Sequence, residues 1–346
     1  MLTHIPAPIE HGVQPAPILS VQEIIREAYE TREQGGARAA RREKGRRVAI
    51  VTLYNDLIAP YAVWSNACVR LYAAEHGYAL ITVRSLLSSR APQWDKVKAM
   101  EILLNDAEAS AAYDYFMWID ADAAFAQLKK PLLESVIDLY MNKEHETRDF
   151  LVCDDSPQTT GGEGSTPEGL IHSNTGTFVM RSCQWSRDFA TRWWNNPMGF
   201  EMKPLHEQHV LNKLYANADP NDNNDLKKRL VLAPARVLNS AFSGLPWGSN
   251  PGENTFVVHM MARKSIDRRN VFRAMFERLK TESTLEPNSV ALPDRFEHFA
   301  QIEIPDTENN QQSHSLTIIL LLTLCLLILS LCFLVLQRSF FSRLLK

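Results

Sequence analysis

Short apolar runs rich in β-branched and aromatic residues alternate along this chain with longer stretches whose apolar positions recur at helical spacing. That alternation predicts an α/β fold whose opening strands run parallel. Residues 48–54 read as a buried strand, 62–76 as an amphipathic helix and 78–83 as a second strand. A helix over 96–105, an aromatic strand over 113–119 ending at Asp120, and a helix over 131–141 opened by Pro131 follow. Beyond them, 150–153 and 177–181 read as strands, 185–194 as a helix, and a further helix runs from Glu207 to about Tyr215. Short strands at 230–234 and 256–259 and a helix over 271–281 complete the pattern. The Gly/Ser/Thr/Pro stretch 159–169 and the Asp/Asn-rich stretch 219–225 read as loop and turn.

The two ends follow other rules. Residues 1–47 form a proline-punctuated arm, with a short helix over 21–31 and a basic run over 38–47, and are expected to be solvated and partly disordered. Residues 287–315 read as a polar stalk, and 316–336 as 21 residues without charge, proline or glycine. At about 1.5 Å per residue that run covers the roughly 30 Å hydrocarbon core, so a C-terminal transmembrane helix is expected, followed by the basic tail 337–346. The lack of a leader at the N-terminus argues for a cytosolic main domain. Arg338, Arg343 and Lys346 after the run, with Asp306 and Glu308 before it, argue for a lumenal one.

The 346 residues, 45% of them hydrophobic, suffice for one principal domain, expected over 48–286. With 37 basic and 40 acidic residues the formal charge is −3, which leaves no global positive field for nucleic acid. Of five cysteines, Cys325 and Cys332 lie in the apolar run, while Cys68, Cys153 and Cys183 are widely spaced. Neither a zinc site nor a disulfide framework is suggested.

The candidate chemistry is Asp120-Ala121-Asp122. Two carboxylates one residue apart at the end of a strand can converge on one hard cation, and small Ala121 leaves room for a ligand. Such a cation neutralises the charge that builds on a departing nucleoside diphosphate. D-x-D alone recurs in solvated turns, but carboxyl ends of strands in open α/β sheets are where ligands bind.

Trp118-Ile119-Asp120-Ala121-Asp122-Ala123, then Asn174-Thr175-Gly176-Thr177-Phe178 with Arg181-Ser182-Cys183-Gln184-Trp185-Ser186, resemble glycosyltransferase family 34. This group contains fungal α-mannosyl- and α-galactosyltransferases and plant xyloglucan α-xylosyltransferases. Trp94-Asp95-Lys96, Glu207-Gln208 and Val258-His259 with Lys264 extend the likeness across 48–276. The resemblance implies a GT-A fold, a Rossmann-like mixed sheet flanked by helices. It also implies a divalent ion, manganese or magnesium, and a retaining transfer that forms an α-linkage from a nucleotide-sugar (UDP-galactose, UDP-xylose or GDP-mannose) to a glycan or glycoprotein acceptor. An endomembrane setting, Golgi or ER, goes with it, although family members usually carry the anchor at the other end of the chain.

Carried over position by position, the resemblance makes Asp120, Asp122 and His259 metal ligands and brings Lys96 and Lys264 to the donor's phosphates or sugar. Asn174, Gly176, Glu207 and Gln208 would line the sugar pocket. Apart from the resemblance, Asp154, Asp155 and Glu207 are the alternative candidates for stabilising the sugar cation. Plainer readings stand beside these. Asn174-Thr175-Gly176 fits a tight turn entering a strand, His259 a strand-end histidine, Lys264 a solvated basic run, and Glu207 an acid at a helix start. An aspartate-nucleophile phosphohydrolase using Asp120, or an inactive membrane-bound sugar-binding protein, are the alternative functions.

Overall fold

The computed structural model describes residues 46–143, 146–154, 171–200, 206–219, 226–241, 255–261, 263–286, 289–293 and 295–302. Most of the expected arm, up to residue 45, the segment 155–170 with Asp155, residues 220–225 of the expected turn, and the expected anchor 316–336 with its tail lie outside the described residues. Among the described residues no helix is long and apolar enough to cross a membrane.

In chain order, β1 (Val48–Leu53), α1 (Ala59–His76) and β2 (Ala79–Val83) are followed by α2 (Asp95–Asn105), α3 (Ala107–Ala112), β3 (Tyr115–Ile119) and β4 (Ala123–Phe125). Then come the wide-wound π-helix α4 (Leu133–Met141), β5 (Phe150–Asp154), β6 (Ser173–Arg181), α5 (Gln184–Trp194) and α6 (His206–Ala216). The last elements used below are β7 (Leu230–Ala233), β8 (Ser240–Ala241), β9 (Val257–His259), α7 (Ser265–Glu282) and α8 (Phe296–Gln301).

Six strands form the main sheet in the order β2-β1-β3-β6-β5-β7. The strands β1, β2 and β3 run parallel as expected, and β6 enters between β3 and β5 antiparallel to both. Period-2 alternation divides each strand between two cores: Val48, Ile50, Tyr115 and Met117 face one side, and Ala49, Val51, Phe116 and Trp118 the other. Helices cover both faces, which is why the strands read as continuous apolar runs. A small second sheet, β8-β9-β4, is built where the chain turns back after Asp122.

Two expectations change. The first concerns α1, which is buried over most of its circumference, Ser65 and Asn66 included, where an amphipathic helix was expected. The cause is a second layer, since α7 and α8 pack across its outer side, with Trp64 edge-on to Phe276 (6.0 Å) and Phe296 (4.9 Å). The second concerns the stalk, expected from residue 287, because Phe299 of α8 is buried and the compact unit runs to Ile302. Two aromatic residues, Phe296 and Phe299, make that stretch adhere.

Gly77 ends α1 at φ 67°, in the left-handed region that glycine enters without a Cβ penalty, and its N–H caps the carbonyls of Ala73 and Ala74. Just before that cap, Glu75 ties α1 to the end of α7. It accepts hydrogen bonds from Lys129 Nζ (2.5 Å), Thr284 Oγ1 (2.7 Å) and N (3.1 Å), and Ser283 Oγ (3.0 Å).

Phe125 fastens β4 to the core. Its ring stacks on Tyr72 with centroids 3.7 Å apart and meets Phe256 edge-on at 5.4 Å. Phe125→Ala is expected to destabilise the protein by about 3–5 kcal/mol in urea unfolding. Glu75 gives a pH test. Burial would raise its pKa, but the bonds from Lys129, Thr284 and Ser283 outweigh burial and hold it at about 2. A depressed folded-state value means stability that is present above the ordinary value of 4.5 and lost as pH falls toward about 2. The advantage of the wild type over Glu75→Gln in urea should therefore shrink across that window; a constant advantage would contradict this account.

Candidate active site

Three chain segments meet at the carboxyl end of β3. The strand ends when the Asp120 N–H donates to Gly176 O (2.8 Å), and the chain reverses as the Ala123 N–H donates to Asp120 O (3.0 Å). Ser65 Oγ of α1 holds the turn by donating to the Ala121 carbonyl. From there β4 pairs antiparallel with β9 in a register that sets His259 opposite Ala123, and Met260 N donates to Asp122 O (2.7 Å). This register brings His259 Nε2 to 3.1 Å from Asp122 Oδ1 and 3.9 Å from Asp120 Oδ2. One ligand atom from each of Asp120, Asp122 and His259 lies within 4.8 Å of the other two.

Close cations balance the carboxylates. Lys96, in the first turn of α2 and almost fully buried, reaches Asp120 Oδ1 at 2.9 Å and Glu207 Oε1 at 3.4 Å, and donates to Thr175 O (3.2 Å). Trp118 Nε1 donates to Asp120 Oδ1 (2.6 Å). On the other side, Arg268 of α7 reaches Asp122 Oδ2 at 3.1 Å and is aimed by its Nε, which donates to Met260 O (3.0 Å). His259 Nδ1 lies 2.6 Å from Asn239 Oδ1.

These contacts set the charges. Burial would raise the pKa of Asp122, but His259, Arg268 and Lys96 outweigh it and hold the carboxyl at about 2. Burial disfavours the charged forms of His259 and Lys96 too, yet the adjacent carboxylates hold both above their ordinary values. Asp120 is pushed up, by burial first and with Asp122 adding repulsion.

The antiparallel course of β6 puts its first residues, not its last, beside Asp120. Asn174 Oδ1 accepts from Gly176 N (2.8 Å). Glu207 and Gln208, at the start of α6, grip Thr175: its Oγ1 donates to Glu207 Oε1 (2.8 Å) and its N to Gln208 Oε1 (3.2 Å). Glu207 is 4% exposed, and its Oε2 is buried with no hydrogen-bond partner among the described residues. The tight-turn reading of Asn174-Thr175-Gly176 is corrected: all three lie inside β6, and Gly77 is the glycine with positive φ among the described residues. Glycine is required at 176 for a different reason, since a Cβ there would lie 2.1 Å from His259 Cε1 and 2.7 Å from Nδ1.

Lys96, Asp120, Asp122, Asn174, Gly176, Glu207, Gln208 and His259 therefore share one corner of the fold. Lys264 precedes the first residue of α7, and one turn later it is Arg268 that meets Asp122. Asp155 lies outside the described residues. Sequence reasoning missed Arg268, seen only as part of a basic run, and Asn239, which stands in no motif. The block Cys183-Gln184-Trp185-Ser186 lies beyond the far end of β6, where Trp185 stacks on Phe189 at 5.1 Å.

A mixed α/β sheet with two aspartates and a histidine gathered at a strand's carboxyl end defines a protein with a site able to hold a divalent ion. Residues 69–268, more than half of the chain, match the galactosyl transferase GMA12/MNN10 family, and the chain belongs to that family. It is 28% identical over 190 residues to a probable alpha-1,6-mannosyltransferase, MNN10, of Saccharomyces cerevisiae, covering 49% of this chain and 45% of that one. It is 30% identical over 129 residues to a probable xyloglucan 6-xylosyltransferase 1 of Oryza sativa subsp. indica, covering 37% and 25%. The chain thus spans less than half the length of each relative. Among solved structures, a glycosyltransferase involved in the glycosylation of the major capsid of PBCV-1 aligns with a TM-score of 0.49 at 16% identity, covering 66% of this chain and 99% of that one.

Gly176→Ala should drive the added methyl into the His259 ring and cost about 1–3 kcal/mol in denaturant unfolding, the usual cost of overpacking. Histidine side-chain NMR should show the His259 resonances displaced in the folded variant; unmoved resonances would refute the close approach.

Proposed function

We propose that this chain is a metal-dependent retaining glycosyltransferase of GT-A type. It moves a hexose or pentose from a nucleotide-sugar to a glycan or glycoprotein acceptor, with formation of an α-linkage. Membership of a galactosyl transferase family supports the reaction class, and relatives named as mannosyl- and xylosyltransferases support the breadth of donor. The observation that carries the reading is the convergence of Asp120, Asp122 and His259 from two sheets onto one point. Two carboxylates and one imidazole nitrogen fit a manganese or magnesium ion. When bound, such an ion would neutralise the diphosphate as the sugar's glycosidic bond breaks.

In this reading the protein's own groups do the rest. Lys96 offers a buried ammonium that offsets the carboxylates and faces the donor, and Lys264 at the start of α7 approaches the phosphates. Asn174, Gly176 and Gln208 shape the wall beside the transferred sugar. Glu207 presents its unpartnered Oε2 to a sugar hydroxyl or to the positive charge at the anomeric carbon, and Asp155 is a second carboxylate for that task. The acceptor hydroxyl attacks on the face the leaving group vacates, and its proton passes to the departing phosphate oxygen, so no separate base is needed. The segment 316–336 serves as a single-pass anchor in an endomembrane, Golgi or ER. The sugar-transferase family leaves the phosphohydrolase alternative without support.

The test is Asp122→Asn in the full-length chain, assayed with manganese and candidate nucleotide-sugars for release of nucleoside diphosphate. Loss of one charge-stabilising group is expected to lower turnover on the order of 10²–10³-fold. Turnover equal to the wild type would remove the metal role. No nucleotide release by the wild type with any donor would favour the inactive sugar-binding reading.

A further inference from the structure

Resting on the metal reading above, we propose that Asn239 is a positioning residue that fixes the imidazole tautomer of His259, so that Nε2 turns its lone pair toward Asp120 and Asp122. The buried Asn239 Oδ1 lies 2.6 Å from His259 Nδ1. An amide oxygen only accepts, so the proton of a neutral imidazole must sit on Nδ1. The opposite nitrogen, Nε2, is the one that faces the carboxylates, at 3.1 Å from Asp122 Oδ1 and 3.9 Å from Asp120 Oδ2. A histidine that binds a metal through one nitrogen is held in place by a hydrogen bond from the other.

The surroundings leave the ring and the amide little freedom. Gly176 closes one side of the imidazole so tightly that a Cβ there would lie 2.1 Å from Cε1. Asn239 ends the short helix Ala235–Leu238, where its N–H donates to Ala235 O (2.7 Å). The next two residues, Ser240 and Ala241 of β8, pair with Val258 and His259 of β9, so the sheet register itself delivers Asn239 beside the ring. An amide also supplies its acceptor without adding a third negative charge, which an aspartate there would do.

The experiment compares full-length wild type, Asn239→Leu and Asn239→Asp. Leucine keeps the branched outline and removes the acceptor; aspartate keeps an acceptor in either orientation. Manganese is titrated without nucleotide, and free ion is read by electron paramagnetic resonance. The proposal expects Asn239→Leu to bind manganese about 10–100-fold more weakly and Asn239→Asp to stay within about threefold of wild type. With saturating manganese, Asn239→Leu should recover most of its kcat, so that the loss falls on the metal's activation constant. Equal weakening in both variants, or wild-type affinity in a folded Asn239→Leu, overturns the proposal. Should Asn239→Leu fail to fold, histidine ¹⁵N spectra of the magnesium-loaded wild type decide: a proton on Nδ1 supports the assignment and a proton on Nε2 overturns it. A wild type that binds no manganese at all overturns the metal reading instead, a result distinct from the other three.

Discussion

Two carboxylates two positions apart and partly buried repel one another unless cations stand against them. Asp120 and Asp122 depend on that compensation, and every element around the site can be traced to it. Two unit charges about 4 Å apart interact by about 4 kcal/mol at an effective dielectric of 20, and a buried charge stripped of its partner is far more costly than an exposed one. Lys96 meets Asp120, and Arg268 and His259 meet Asp122, from α2, α7 and β9 respectively. Lys96 stands more than 160 positions from His259 and Arg268, which follow one another at the end of β9 and the start of α7. The site exists only when the whole sheet and both helical layers are assembled.

The direction of β6 is the topological fact on which the rest of the geometry turns. Had it run parallel to β3, its C-terminal residues would sit beside Asp120. Because it runs antiparallel, Ser173 to Gly176 come to the mouth of the site and Arg181 goes to the far end, opposite Tyr115. Thr175 then becomes a joint, its carbonyl accepting from Lys96 and its N–H and hydroxyl held by Gln208 and Glu207. A strand start, a helix start and a buried lysine are fastened together at that residue.

The outer layer serves the same end. α7 and α8 lie across α1, and α1 in turn holds the Asp120–Asp122 turn through Ser65. Arg268 belongs to that outer helix, so the helix covering the core also supplies a charge to the site. Folding energy and site electrostatics are thereby coupled through α7, with Glu75 fastening the segment just after its last turn and Arg268 working near its first.

Most of what lies close together in sequence was legible from the sequence. The strand before Asp120, the acidic pair, the run of parallel units and the start of α2 at Asp95-Lys96 are local patterns, and periodicity and spacing read them directly. The likeness of separated motifs to one sugar-transferase family was legible as well. What the tertiary structure alone decided is what depends on register and direction between distant segments. That Gly176 is glycine because a histidine 83 positions later presses on it and that Asn239 stands behind His259 follow from pairing between strands, and that Arg268 reaches Asp122 follows from the packing of α7. The burial of most of α1's circumference and the adhesion of 295–302 likewise follow from a helical layer that no local window contains. Hydrophobic period tells which face of an element is apolar; which other element covers it is set by packing across the whole chain.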